Sequence, residues 1–404
     1  MNPRRVLGQQ ASFWVAAAVM AHTLWTSAAP AVTYPLYAAE WHLTTTVTTA
    51  IFAIYPITVV IVLQLFGHLS DHIGRRKAIL FGLAASSFGV LLFAIAPNVL
   101  WIFAGRVFMG IGVGLSTGPA TAALVEFSGV GPSNRANTVA TIATAIGLAL
   151  ATVIGGGLIQ YAPFPMRLNF WVLFVVLAVL FAVAWFLPRQ ASVSPTFRPR
   201  AGGIRIPHGM GRPFAISAIA VTAGYSLGAV VLSLGAQIAR DLIGSGNAFV
   251  NGAAIALLAV VAGVVTFLAK RLVAHTSIVA GGLTSTASMA LLVLSASQHS
   301  LAAFLAAVAA AGAAYSLLFL GGLTLINASA PTHQRAGTLS AVYLIAYLMM
   351  GLIAFLLGVA ATRWGLRVAI EFGSPLIALL GLAGSVLVLS NRRTPAPAIA
   401  SFTR

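Results

Sequence analysis

The sequence predicts an all-α membrane protein: twelve transmembrane helices in two six-helix bundles around a central cavity. Three observations lead there. The chain is 60% hydrophobic and only 7% charged, whereas a soluble protein carries roughly a quarter of its residues charged. Twelve apolar runs reach the length a helix needs to cross the hydrocarbon layer, about 20 residues. Of the 22 Lys and Arg, one (Arg106) falls inside a run and four (Arg167, Arg240, Arg363, Arg367) fall on one side. The rest fall on the other side, which the positive-inside bias makes the cytoplasm.

Helices are the default here, because an open sheet would leave backbone groups unpaired in lipid. The ten-residue alternation of a barrel is not seen. The first span, 11–37, follows "MNPRRVLGQQ". "TSAAP" resembles a signal cleavage site, but the run is too long for a signal core, so a retained helix is expected, kinked at Pro30. The second span, 44–66, ends at the polar loop "GHLSDHIGRRK"; the third, 78–96, follows it. The fourth, 99–125, holds Arg106. The fifth, 136–160, opens at "RANT"; the sixth, 168–187, ends the first half. Residues 188–212, rich in Pro, Gly, Ser and Arg, read as a cytoplasmic linker. The second half follows with spans 213–239, 248–269, 276–295, 299–327, 336–361 and 368–390. The division is therefore 1–187, 188–212 and 213–404, with a short cytoplasmic tail.

The halves echo one another at a constant offset. "RANT" at 135–138 corresponds to "RAGT" at 335–338, and Gly82-Leu83 to Gly282-Leu283. Each echo alone is weak; the shared offset strengthens both.

Composition also excludes classes. A formal net charge of +17 suggests nucleic acid, but the bases form no continuous face, and topology accounts for them. There is no cysteine, hence no disulfide framework or thiol metal site. No nucleotide loop, metal cluster or nucleophile–base pair is present, so neither an enzyme nor an ATP-driven pump is expected.

The loop 67–77 holds one of only five acids, Asp71, among three bases. On charge alone it is a topology anchor with a solvated acid. Asp71 would also suit a helix N-terminus, which carries partial positive charge. Gly67, Asp71, Gly74, Arg75 and Arg76 match the Gly-x-x-x-Asp-x-x-Gly-Arg-Arg signature of the major facilitator superfamily, at the place that family puts it. The resemblance covers essentially the whole chain and is closest in type to the bacterial drug/metabolite efflux branch. It implies that this loop latches the halves when the cavity faces outward. Asp71 would face a helix start near Ala336, and an Arg would pair with Glu126.

Inside the spans, Arg106 is costly in lipid and is expected to face the interior or water. Its segment resembles the family's fourth-helix signature, which implies a place in the cavity near a proton site. Gly110, Gly112 and Gly114 follow no strand, so they read as helix-packing positions, not a dinucleotide loop. Gly147, Gly155 and Gly156 in the fifth span read the same way. The family's drug–proton antiporters carry Gly-Pro where this chain has Ala151-Thr152, so that signature is incomplete. His22 and Thr26 share a helix face beside Trp25, and His22 is the candidate for proton coupling. Tyr225, Tyr315 and Tyr343 are further cavity candidates, along with Tyr34, Gln237, Asn251 and Tyr347.

The resemblance implies a secondary active transporter working by alternating access. The expected activity is proton-coupled efflux of small amphipathic or drug-like molecules, with no cofactor. Uptake or uniport of a sugar or organic acid is the alternative, and a sensor of the same fold without flux is a third reading. The expected setting is the cytoplasmic (inner) membrane, both termini inside, as a monomer in the lipid bilayer with a small-molecule substrate.

Overall fold

The computed structural model describes residues 6–67, 69–129, 135–188, 210–331 and 334–391, without the side chains of Asp71, Ala336 and Asn391. No strand occurs among the described residues. The helices are α1 (Gln9–Ala28), α2 (Tyr34–Glu40), α3 (Thr45–Phe66), α4 (Leu69–Ile73), α5 (Arg75–Ala94), α6 (Val99–Phe127), α7 (Arg135–Tyr161), α8 (Leu168–Ala184), α9 (Gly211–Gln237, continued by a π turn Ile238–Leu242), α10 (Ala248–Ala269), α11 (Ala274–Gln298), α12 (Leu301–Ser329), α13 (Arg335–Trp364) and α14 (Leu366–Asn391). Ten of them are long and apolar enough to cross a membrane. The rods α1 and α8 bring the number to twelve, with α2 and α4 as short connectors.

The two ends of the bundle differ. The basic end carries the turns around Gly67, Ser128, Lys270 and Ala330; the far end carries those around Trp41, Ala96, Phe164, Gly244 and His299. Several far-end helix starts are capped by short polar side chains. Thr44 accepts from Val47 N–H, Asn98 from Leu100, Asn247 from Phe249 and Val250, and Ser300 from Ala303. Such caps satisfy donors that the first turn of a helix leaves unpaired.

Within the first half α6 packs on α5, α3 and α1, while α1 meets α7 and α5 meets α8. In the second half α12 packs on α11, α10 and α9, while α9 meets α13 and α11 meets α14. The pattern is one, with α1, α3, α5, α6, α7 and α8 replaced by α9, α10, α11, α12, α13 and α14. The seams between halves, α3 on α13 and α7 on α10, exchange under the same substitution. Gly82 and Gly282 do occupy equivalent helices, yet Gly82 packs on α6 and Gly282 on α14. Helix α9 is buried nearly all round, with 89% of its apolar window enclosed, which makes it a central rod.

Two expected boundaries are corrected. The first span is broken, not merely kinked: α1 stops at Ala28 and α2 begins at Tyr34. Pro30 has no N–H and its ring clashes with the preceding turn. Thr33 N–H turns to the Pro30 carbonyl at 3.0 Å, and the Ala29 carbonyl, left without its helical donor, takes the buried Asn169 amide of α8 at 3.1 Å. The third helix begins at Arg75, not at 78. Gly74, at φ +85°, turns the chain directly into it, a conformation open to glycine at little steric cost. The linker proposed at 188–212 lies for the most part outside the described residues.

Candidate functional site

The far end is closed by bonds between the halves. On the α3–α13 seam, Thr46 N–H donates to Thr362 Oγ1 at 2.9 Å, and Thr46 Oγ1 lies 2.8 Å from Thr362 Oγ1 and 3.2 Å from the Gly358 carbonyl. On the α7–α10 seam, Ala248 N–H donates to Gln160 Oε1 at 2.8 Å. Gln237 of α9 donates to Thr45 Oγ1 at 3.3 Å. Arg240, paired with Asp241, donates to the Pro35 carbonyl at 2.8 Å. Small residues let the seams close. A Cβ on Gly358 would lie 2.8 Å from Thr49 Cβ, and one on Gly156 would lie 2.5 Å from the Ala248 carbonyl oxygen. Toward the basic end, a Cβ added at Gly118 of α6 or Gly337 of α13 would meet nothing within 4 Å.

The predicted packing glycines face different neighbours. Gly110 and Gly114, four apart on one face, would place a Cβ 2.8 Å from Thr58 and Val62 of α3. Gly112 lies between them in sequence but on another face, and meets Gly82 and Ser86 of α5. Gly147 abuts Ala21 of α1; Gly155 abuts Val32 and Asn169.

The second half contributes an aromatic wall. Tyr225 of α9 stacks on Tyr315 of α12 (centroids 5.8 Å, planes 3° apart) and meets Tyr347 of α13 edge-on at 4.9 Å. Phe319 lies 6.0 Å from both Tyr225 and Tyr315, and 6.1 Å from Tyr343. Gly224 and Gly228 of α9 present a flat surface to Tyr315. Thus Tyr225, Tyr315 and Tyr343 are brought together. Phe319 was missed; its one sequence signal is the four-residue spacing from Tyr315.

The first-half candidates lie deeper than expected. His22 is buried, with Nδ1 against the Val19 carbonyl and Nε2 3.4 Å from Ser86 Oγ of α5. Thr26 is fully enclosed, and Trp25 is partly buried with its indole N–H unpartnered. Arg106 is 0% exposed. Its Nε donates to the Ile51 carbonyl at 3.3 Å and one terminal nitrogen to the Ser27 carbonyl at 3.0 Å. The guanidinium lies 4.5 Å from the Tyr55 ring centre and 5.9 Å from that of Phe52. Both side chains point into the packing among α1, α3, α5 and α6. Four-residue spacing assigns a common face; the neighbouring helices decide what that face meets.

At the basic end, Arg75 pairs with Glu126 and donates to the Ala122 carbonyl at 3.2 Å, tying the start of α5 to the end of α6. Arg76 lies over the Trp185 ring at 5.4 Å. Gly67 closes α3, where a Cβ would come 2.5 Å from the Leu63 carbonyl oxygen. Asp71 sits in α4; its side chain, and hence any bond to the start of α13, lies outside the described residues. The Arg75 and Glu126 side chains are 34% and 40% exposed. Glu126→Gln is therefore expected to lower stability by under about 1 kcal/mol. Thermal unfolding in detergent checks this; a larger loss would show that the pair holds more than α5 to α6.

Comparison with known proteins places the fold. Over 115 residues the chain is 30% identical to Sugar transport protein 14 of Arabidopsis thaliana, a match covering 28% of this chain and 23% of that protein. The chain thus spans about a quarter of the length of the curated relative it matches. The crystal structure of the nucleoside transporter NupG superposes with a TM-score of 0.76 at 10% identity, over 94% of this chain and 100% of that one. The POT family transporter PepTSo gives 0.77 at 12%, over 95% and 99%. A bacterial homolog of the human lysosomal transporter Spinster, inward-facing and unoccupied, gives 0.71 at 16%, over 98% and 100%. These likenesses show the fold alone. The family model described as Major Facilitator Superfamily matches residues 14–353, across both halves, and the chain belongs to that family.

Proposed function

We propose that this protein is a secondary active transporter that exports small amphipathic or drug-like molecules from the cytoplasm, driven by the proton gradient across the inner membrane. The observation that carries the reading is the wall of Tyr225, Tyr315, Phe319, Tyr343 and Tyr347, drawn from three helices of one half. Such rings present flat apolar faces with hydroxyls at their rims, a surface suited to planar solutes with a few polar groups. The far-end bonds and the free space at Gly118 and Gly337 support an inward-facing state, with both termini in the cytoplasm. Rocking of one half against the other would break the far-end seams and close the basic end. One chain contains both seams and the cavity, so a monomer suffices.

Among the eight His and five acids of the chain, His22 alone lies in the middle of a span, and we assign proton coupling to it. The test uses everted vesicles with an imposed pH gradient. Wild type should accumulate an amphipathic fluorescent solute only when the gradient is present. His22→Gln should abolish uphill accumulation and retain downhill exchange. Gradient-driven accumulation at the wild-type rate in His22→Gln would remove His22 from the mechanism. No flux under any condition would favour a sensor. The match to a plant sugar transport protein favours a second reading, uptake or uniport of a sugar, in which stacking on the same rings serves a pyranose face.

A further inference from the structure

Arg106 is an uncompensated positive charge. Its guanidinium is wholly enclosed, two of its nitrogens are held by backbone carbonyls, and the third, Nη2, is buried without a partner. Carbonyl dipoles satisfy hydrogen bonds but leave the net charge in place. The five acids of the chain are Glu40, Asp71, Glu126, Asp241 and Glu371, and all fall at or within about two turns of a helix end. Glu126, Asp241 and Glu371 are besides paired with Arg75, Arg240 and Arg367. Among the described residues no carboxylate pairs with Arg106.

The charge lies beside the aromatic wall. Arg106 sits on the Tyr55 ring. Tyr55 is on α3 at the seam with α13, where a Cβ on Gly351 would come 3.2 Å from the Ala53 carbonyl and 3.6 Å from Pro56. Tyr347 lies one turn from Gly351, on the α13 face that meets α3 around Tyr55, and it packs edge-on against Tyr225. The sequence Arg106, Tyr55, Tyr347, Tyr225 thus runs from the fixed cation of one half to the rings of the other.

We propose that the aromatic wall with Arg106 behind it forms a site for planar aromatic organic anions, and that Arg106 sets this charge preference through the low-dielectric packing instead of by direct contact. The inference rests on the transport reading only in taking the wall as the substrate site. Stacking supplies affinity irrespective of charge, while the uncompensated cation favours a carboxylate and disfavours an ammonium. For unit charges about 10 Å apart at an effective dielectric of about 20, the interaction changes an equilibrium by roughly tenfold, in opposite directions for anion and cation. This differs from the preference expected of an exporter of lipophilic cations, whose cavity would need a carboxylate to meet them.

The test is a matched series on the purified full-length protein in nanodiscs: a naphthoate, its carboxamide and the naphthyltrimethylammonium ion, each followed by quenching of intrinsic fluorescence. The expected order is carboxylate, then amide, then ammonium, with about tenfold between successive members. Tyr225→Ala should weaken all three to a similar extent. Arg106→Gln should compress the series to within about threefold while amide binding persists, and Arg106→Lys should keep the order. Should Arg106→Gln fail to fold, Arg106→Met, which also removes the charge, takes its place, and equal or reversed binding in the wild type still overturns the proposal. Equal binding of the three, tighter binding of the ammonium, no binding of any, or an order unchanged in folded Arg106→Gln overturns the proposal. Flux is measured separately in proteoliposomes. The expected binding order without flux would overturn transport and leave this site standing. Flux that prefers the ammonium would do the reverse.

Discussion

A chain carrying both Thr362→Val and Gln160→Leu will open at its far end. Each change removes a bond by which one half caps a helix of the other. Helix α3 has its own cap in Thr44, which accepts from Val47, but the next orphan donor, Thr46 N–H, is taken across the seam by Thr362. Helix α10 has its own cap in Asn247, which accepts from Phe249 and Val250, and its Ala248 N–H is taken across the other seam by Gln160. The two devices are equivalent under the exchange of halves. Each closes its seam with neutral groups that would otherwise turn to water. A hydrogen bond of this kind contributes about 0.5–1.5 kcal/mol net, and the Thr46–Thr362 hydroxyl contact is lost as well. Together the changes should cost the closed state about 2 kcal/mol, a shift of roughly thirtyfold in the closed-to-open ratio. The chain has no cysteine, so a single one placed at Ala53, 6% exposed at the seam, reports opening without background. Its labelling from the far side by an impermeant maleimide should rise by an order of magnitude or more. An unchanged rate would mean that Arg240 and Gln237 hold the far end and that the caps are incidental.

The sequence carries the fold in a form that needs little tertiary information. Apolar run length and the placement of Arg and Lys are set by the solvent, and lipid imposes them on every span. The break at Pro30 was half legible. Proline announces a disturbance, but whether the chain bends or stops depends on a partner for the Ala29 carbonyl, and that partner, Asn169, lies in another helix. The site was less legible for the same reason. Tyr225, Tyr315 and Tyr343 stood out as polar-tipped rings in apolar runs, whereas Phe319 between them reads as one more lipid-facing residue. Thr46, Thr362 and Gln160 carry no signal of their role, because a cap supplied by a distant helix leaves no local pattern. The spacing Gly110, Gly112, Gly114 signalled close packing without saying against what. A helix turns 100° per residue, so the middle glycine faces α5 while its neighbours face α3.

Gly112→Leu should be severely damaging, and Gly118→Leu, two turns away on the same helix, nearly silent. Helices α5 and α6 cross with backbone against backbone. A Cβ on Gly112 would lie 2.5 Å from both the Gly82 carbonyl oxygen and the Ser86 nitrogen, and one on Gly89 would lie 2.6 Å from the Gly105 carbonyl oxygen. In lipid no hydrophobic effect drives the helices together, so this close approach is itself the source of their attraction. The Ser86 hydroxyl that a side chain at Gly112 meets first could turn away, but the Gly82 carbonyl oxygen and Ser86 nitrogen behind it are main chain and cannot, so the crossing must separate over several turns. Separation would also carry Ser86 away from His22 Nε2. Overpacking a tight core costs typically 1–3 kcal/mol, and a leucine facing backbone belongs at about 3 kcal/mol or above. At Gly118 the same side chain meets nothing within 4 Å, and the gain in helix propensity, about 1 kcal/mol at most, favours the variant. Size-exclusion profiles after graded heating separate the two: monodisperse protein should be lost at markedly lower temperature for Gly112→Leu, with Gly118→Leu at or above wild type. Equal thermal behaviour of the two variants would show that α5 and α6 do not cross at Gly82 and Gly112, and with that crossing would go the placement of His22 against Ser86.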